Sequence, residues 1–545
     1  MTTSRRLLAL ALPVALVAFA WTPARGDADL EGAFQTITEE DVLAELTVLA
    51  SPAFEGRDSP STGLTRAAEH VAERLTSMGF EPVGDGTDAS LLVPFGRTLP
   101  APVEDACALA SPDHTDWQLG RDFVPVLGAS GLAQGEVVFV GFGIDDSGER
   151  YDDIPSTLAG RIALILEGEP RHHKKFEGHD EVLPAADLYA KLRELAKVDA
   201  EGVLVVRRPP AEPEASGSSR SSRRSRRGDE ASSATGTRLQ AEFGFRHTWA
   251  SWVGDPSSRG RGGRGGSAPL PPTLEITPGV GSALLGEDIL ALAAGLDASG
   301  KAPRPVNTGK EATLASQVEP RTVNIENVIG VLRGSDPELA DEYVVLGAHL
   351  DHVGVDPRGR IGLGADDNAS GVSALLEVAE ALSLAGPRRS VVAVAFGGEE
   401  DGLLGSRAFT NTWPVPREDV VAMLNMDMIG RGDAKRVVIL GTPQNPGFKK
   451  LLKRANALHP TQLKKLDMAD ERNLFERSDH FPFHEAGIPV LFFFENLPIT
   501  DNEDYHTWRD TLDQVDVDKV ARTARLVFNT AWLLCDDDER PPAPR

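Results

Sequence analysis

At 545 residues the chain is too long for one compact core, and with 41% apolar residues it has the material for two or three globular domains. A formal net charge of -26 argues against nucleic acid as the main partner, because gripping phosphates takes a basic face. Two cysteines, Cys107 and Cys535, make neither a disulfide framework nor a cysteine zinc site, so any metal must be held by His, Asp and Glu.

Arg5 and Arg6 precede an apolar run from Leu7 to Ala20 that Pro13 interrupts. The run is shorter than the roughly 20 residues of a membrane span and predicts an export signal within residues 1–26, of Sec or twin-arginine type. The expectation is a secreted or periplasmic protein with no stable membrane insertion once the signal is removed. Thr38 to Leu49 and Thr65 to Met78 have helical spacing, with the loop Ser51 to Arg57 between them. From about 101 to 310 the pattern changes to short β-like runs, such as Glu136 to Phe142, Arg161 to Leu166 and Gly202 to Val206. A helix, Leu188 to Val198, precedes the third, which predicts a small mixed α/β module. Residues 214–272 are rich in Ser, Arg and Gly and predict a disordered insertion. Its Arg/Ser and Arg/Gly runs are the one feature pointing toward RNA, and without interleaved aromatics they read as a solvated loop.

From Asn324 to Leu534 the chain alternates dense apolar runs with helical patterns. The runs are Asn327 to Leu332, Tyr343 to Ala348, Ser390 to Phe396, Val420 to Met426 and Pro489 to Phe494. The helices are Glu377 to Leu384, Lys449 to Leu458 and Val517 to Leu534. This predicts an α/β fold with a mostly parallel central sheet flanked by helices, and in such sheets ligands bind beyond the carboxyl ends of the strands. At those ends stand His349-Leu350-Asp351, Glu399-Glu400 and Asp427. Asp366-Asp367-Asn368 opens a helix, and Tyr505-His506 precedes the last one. A lone His is usually structural, an Asp-Asp-Asn before a helix is usually a cap, and paired glutamates are usually solvated. Five such positions along one edge of one sheet form a metal-competent set.

These stretches resemble the two-zinc peptidase family of bacterial leucyl aminopeptidases and glutamate carboxypeptidase. The matching motifs are Gly347 to Asp351, Gly364 to Gly371, Glu399 to Ser406, Asn425 to Asp427, Ser478 to His480 and Tyr505 to Thr507. The resemblance implies a zinc exopeptidase fold running from 30–100 into 311–536, with a tail at 537–545 and an inserted protease-associated domain at 101–310. It implies two zinc ions per chain: Asp367 bridges them, His349 and Asp427 serve one, and Glu400 and His506 serve the other. Glu399 is the implied general base and Tyr505 an oxyanion donor, with a cis peptide after Asp367. Asp351, two residues past His349, is expected to accept the other ring N–H of that histidine. Ser478 to His480 and His352 are read as structural, and Arg431 and Arg477 as available cations of undiagnostic spacing.

The resulting expectation is an aminopeptidase acting on peptides. A carboxypeptidase or dipeptidase, a glutaminyl cyclase-like transferase and a non-catalytic ectodomain are the alternatives, and the oligomeric state is open. The last two rank lower because the ligand set and the base are complete.

Overall fold

The computed structural model describes residues 30–83, 90–146, 151–170, 187–208, 269–355, 360–495, 497–499 and 502–544. The expected signal at 1–26 and most of the Arg/Ser/Gly-rich segment, including its arginine runs, lie outside the described residues. Among the described residues no single helix is long and apolar enough to cross a membrane.

The larger sheet contains β1 (Leu92–Pro102), β2 (Val318–Leu332), β3 (Tyr343–His349), β4 (Ser390–Phe396), β5 (Val420–Met426), β6 (Arg436–Leu440), β7 (Lys465–Met468) and β8 (Val490–Phe494). Its order is Glu81–Pro82, β2, β4, β3, β5, β8, β6, β7, with β1 also paired to β2. The centre β4-β3-β5-β8 is parallel, whereas β1, β2 and Glu81–Pro82 pair antiparallel on one flank and β6 runs antiparallel to β8 on the other. The expected mostly parallel sheet is therefore a mixed one. Four of the five apolar runs are the central parallel strands, buried on both faces. The fifth, Asn327 to Leu332, ends the antiparallel β2, because an apolar run reports burial and not strand direction.

Every residue of β3, β4 and β5 is buried. Alternation sorts them, with Val344, Leu346 and Ala348 in one core and Tyr343 and Val345 in the other. The first core is closed by helices α1 (Glu39–Leu49), α2 (Thr62–Ser77), α3 (Gly371–Ala385) and α4 (Val517–Asp536). Nearly all of α3 is buried, as expected of a helix apolar on almost every face. Thr38 and Ser61 cap α1 and α2, accepting from Asp41 N and Leu64 N.

Between β1 and β2 the chain builds a separate seven-stranded sheet. Its order is Ala108–Ala110, Val306–Ser316, Gly131–Gly141, Arg161–Leu166, Gly202–Val206, Thr273–Ile276, Phe123–Pro125. Its cores are distinct from those of the larger sheet. The expected boundary at 310/311 cuts through Val306–Ser316, which stays paired to Gly131–Gly141 as far as Ser316. Only Gln317 separates that strand from β2, so the passage between sheets has no turn signal. Both cysteines are buried and unpaired.

Candidate metal centre

The carboxyl edge of the parallel centre gathers the implied residues. His349 is the last residue of β3, Asp427 follows β5, and Glu399 and Glu400 lie three and four residues past β4. Asp367 comes from the turn that enters α3. Its two oxygens face different imidazoles: Oδ1 lies 3.3 Å from His349 Nε2, and Oδ2 lies 3.3 Å from His506 Nε2. His349 Nε2 is also 3.2 Å from Asp427 Oδ1, and His506 Nε2 is 2.8 Å from Glu400 Oε2. The five residues thus form two donor groups that share one buried carboxylate.

The turn around Asp367 is held from three sides. Asp510 accepts from the backbone N–H groups of Asp366 and Asp367 at 3.0–3.1 Å. Asn368 donates to Met426 O and accepts from Gly371 N and Met428 N, which ties the turn to the end of β5. The Asp367–Asn368 peptide is cis. The fully buried Arg57 donates to the carbonyls of Leu49, Leu350, Leu363 and Gly364, joining the N-terminal turn to the loops beside His349 and Asp367.

Asp351 has a different contact from the one expected. The Nδ1 of His349 lies 3.1 Å from the backbone oxygen of Asp351 and 4.0 Å from its carboxylate. The carboxylate instead accepts from Glu399 N at 3.0 Å and Glu400 N at 3.2 Å. The strand stops at His349, so the alternation that would aim both side chains one way no longer applies. The residue still orients the histidine, through its main chain.

His352 is more than structural packing. Its Nδ1 lies 3.0 Å from Glu400 Oε1 and 3.8 Å from Asp367 Oδ2, giving that donor group a second imidazole beside His506. The three-residue spacing from His349 was the signal available. Ser478 supports the site by donating to Asp427 Oδ2 at 2.7 Å. Arg431 is engaged by Asp504 and Asp510, whereas Arg477 lies at the pocket edge and donates to Tyr505 Oη at 3.2 Å. Arg57 and Asp510 were missed, because nothing local marks a residue that acts by reaching distant carbonyls or amides.

Burial works against protonating His349, but Asp427, Glu399 and Asp367 raise its pKa well above the usual value. His506 goes the same way against burial, up to about 10, through Glu400 and Asp367. Burial raises Glu400 and Asp367 repels it, yet His506 and His352 bring it down to about 2. Glu399 is pushed well above the carboxylate range by burial, with Glu400 and Asp427 adding to it and His349 opposing. Such a group of carboxylates and imidazoles, with Asp367 Oδ2 buried and outside hydrogen-bond geometry, fits divalent cations in donor type and charge. The pocket beside it is lined by His349, Asp367, Glu399 and His506 together with Met428, Leu474, Phe492, Phe494 and Ile499. Tyr505 also lines it, stacked on the ring of His506 at 3.8 Å, and burial raises its pKa so that it stays a donor.

Residues 327–531 match Peptidase family M28. Over this part the chain is similar to Peptidase family M28. A "Probable leucine aminopeptidase" of Trichophyton verrucosum (strain HKI 0517) is 33% identical over 210 residues, covering 37% of this chain and 57% of the relative. "Aminopeptidase YwaD" of Bacillus subtilis (strain 168) is 28% identical over 239 residues, covering 43% and 49%. The chain spans about half the length of these curated relatives. Among solved structures, a zinc aminopeptidase from Bacillus subtilis aligns at a TM-score of 0.48 and 18% identity, over 92% of this chain and 96% of that one. An aminopeptidase from Aneurinibacillus sp. strain AM-1 aligns at 0.46 and 21%, over 94% and 97%. The M28 match begins on β2 and ends within α4, so it holds every residue of the two donor groups.

Proposed function

We propose that the protein is an exported two-zinc aminopeptidase that removes N-terminal residues from peptides. The observation that carries this reading is Asp367, one buried carboxylate offering each oxygen to a separate histidine-containing donor group, with a small pocket alongside. His349, Asp367 and Asp427 would hold one zinc, and Asp367, Glu400 and His506 the other, with His352 in reach of the second. Bound zinc supplies Lewis-acid polarisation of the scissile carbonyl and acidifies water.

The chain's own groups do the rest. Glu399 takes a proton from the attacking water on its carboxylate and passes it to the leaving amine as the C–N bond breaks. Burial, which raises its pKa, suits it to hold that proton in between. The Tyr505 hydroxyl donates to the oxygen of the former carbonyl, where negative charge develops. Arg477 keeps that hydroxyl oriented through its 3.2 Å contact. Met428, Leu474, Phe492, Phe494 and Ile499 contribute apolar groups to the pocket beside these residues. Asp351 fixes the turn that carries the base.

The test combines zinc content with release of nitroaniline from leucyl-4-nitroanilide, in wild type and Glu399→Ala. Near two zinc per chain, with activity in wild type and none in the metal-replete variant, is the expected result. Metal-replete wild type that spares leucyl-4-nitroanilide but cleaves C-terminally blocked and free peptides differently would move the assignment to a carboxypeptidase or dipeptidase.

A further inference from the structure

The turn carrying Glu399 and Glu400 is fastened on several sides, and one fastening belongs to the ribbon that leaves for the second sheet. On the inner side Asp351 accepts from both backbone N–H groups. At the ends of the turn, Asn327 of β2 accepts from Gly397 N at 3.1 Å and donates to Gly405 O at 2.9 Å. A β-carbon on Gly397 would lie 2.5 Å from Glu326 O, and one on Gly405 would lie 2.3 Å from Asn327 Oδ1. Ribbon and turn meet so closely there that only glycine fits.

The outer side is held by Arg97. It lies in β1 opposite Val323 of β2, and its guanidinium donates to the carboxylate of Asp401 and to the carbonyl of Ser59. Asp401 directly follows Glu400, and the side chains of the pair are 15% and 21% exposed. A charge-assisted contact at that depth adds little to global stability but gives a definite direction to the residue it holds. Arg97 is not among the residues lining the pocket, so it does not reach substrate there.

We infer that Arg97 is a positioning residue for hydrolysis. Through Asp401 it sets the Glu399–Glu400 turn, and it ties the base to the ribbon that carries the second sheet. A catalytic carboxylate displaced by about 1 Å loses much of its effect, and groups that orient metal ligands typically account for about 10- to 100-fold in affinity or rate. The inference rests on the aminopeptidase reading, and one arm of its test does not use activity.

The experiment compares Arg97→Ala, Arg97→Lys, Asp401→Asn and the Arg97→Ala/Asp401→Asn pair in the full chain. Zinc affinity is measured by chelator competition, kcat and KM with leucyl-4-nitroanilide, and Tm on the zinc-free protein. The expected result is about a tenfold loss in kcat and in affinity for the zinc held through Glu400, KM within about twofold, and zinc-free Tm nearly unchanged. The lysine variant should recover most of the loss, and the double variant should be no worse than either single one. Unchanged zinc affinity and kcat, additive losses, or a rise in KM alone would each overturn the assignment. A wild type that binds two zinc ions but cleaves no aminoacyl substrate would count against the aminopeptidase reading, while the zinc-affinity cycle still decides the role of Arg97.

Discussion

Asp367 offers its oxygens to His349 and His506, and this geometry sets how the site answers to protons and metal. In the metal-free protein both histidines are held protonated well above their ordinary range, His506 up to about 10. Zinc requires them neutral, so loading at pH 7.5 should release protons, and affinity should fall as pH drops. Calorimetry in two buffers of different ionisation enthalpy measures the number, and zero released protons would contradict this account. At Glu399, replacing the carboxylate by the amide of Gln removes the proton acceptor. The expected cost is about 100- to 10,000-fold in kcat with zinc retained. Tyr505→Phe should cost about 100-fold, read as kcat on the same substrate. His480 sits apart from these groups, fully buried against Phe475 and Phe492, and burial lowers its pKa to about 3. An unfolded histidine titrates near 6.5. The stability of the neutral buried form is therefore complete above that pH and is lost as pH falls toward 3, by at most about 4–5 kcal/mol. His480→Phe should flatten this acid limb in denaturant titrations between pH 7 and 4.

At the scale of elements, strand ends and helix starts delivered the donor residues, and this was legible. Strands β3, β4 and β5 are buried throughout and mostly apolar, so His349 at the end of β3 and the acidic side chains beyond β4 and β5 stand out. The flanking antiparallel strands were less legible, since β2 is exposed from Glu319 to Thr322 and shows an apolar run only over its last residues. The exchange of roles at Asp351 was also invisible, because it depends on where β3 ends to the residue. Arg57 is the strongest case of an element joined by a side chain. It satisfies four carbonyls from three loops, and Arg57→Met would leave them buried without donors. We expect a loss of about 3–5 kcal/mol, measured as the shift of the urea midpoint in zinc-free protein. An unchanged midpoint would mean that the loops find other donors.

Among the described residues, the two large sheets have separate cores and are joined through the β1–β2 ribbon, and the candidate metal centre sits on the larger one. Donor groups assembled from β3, β5, the α3 turn and the loop before α4 exist only in the folded chain, so zinc should stabilise the fold. At free zinc about 100-fold above Kd the gain is about 2.7 kcal/mol, and chelation should lower Tm accordingly. A Tm indifferent to chelator would mean that the site does not hold metal in the native state. The sequence by itself determined the apolar strands, the helices that cover them and the identity of the metal-competent residues, because burial periodicity and side-chain chemistry are local properties. Only the tertiary structure decided strand direction at the sheet flanks, the closeness of His352 to Glu400, the backbone contact of Asp351 and the reach of Arg57 and Arg97. Those depend on distances between residues up to about 300 positions apart, such as Arg57 to Gly364 and Arg97 to Asp401, which no local pattern encodes.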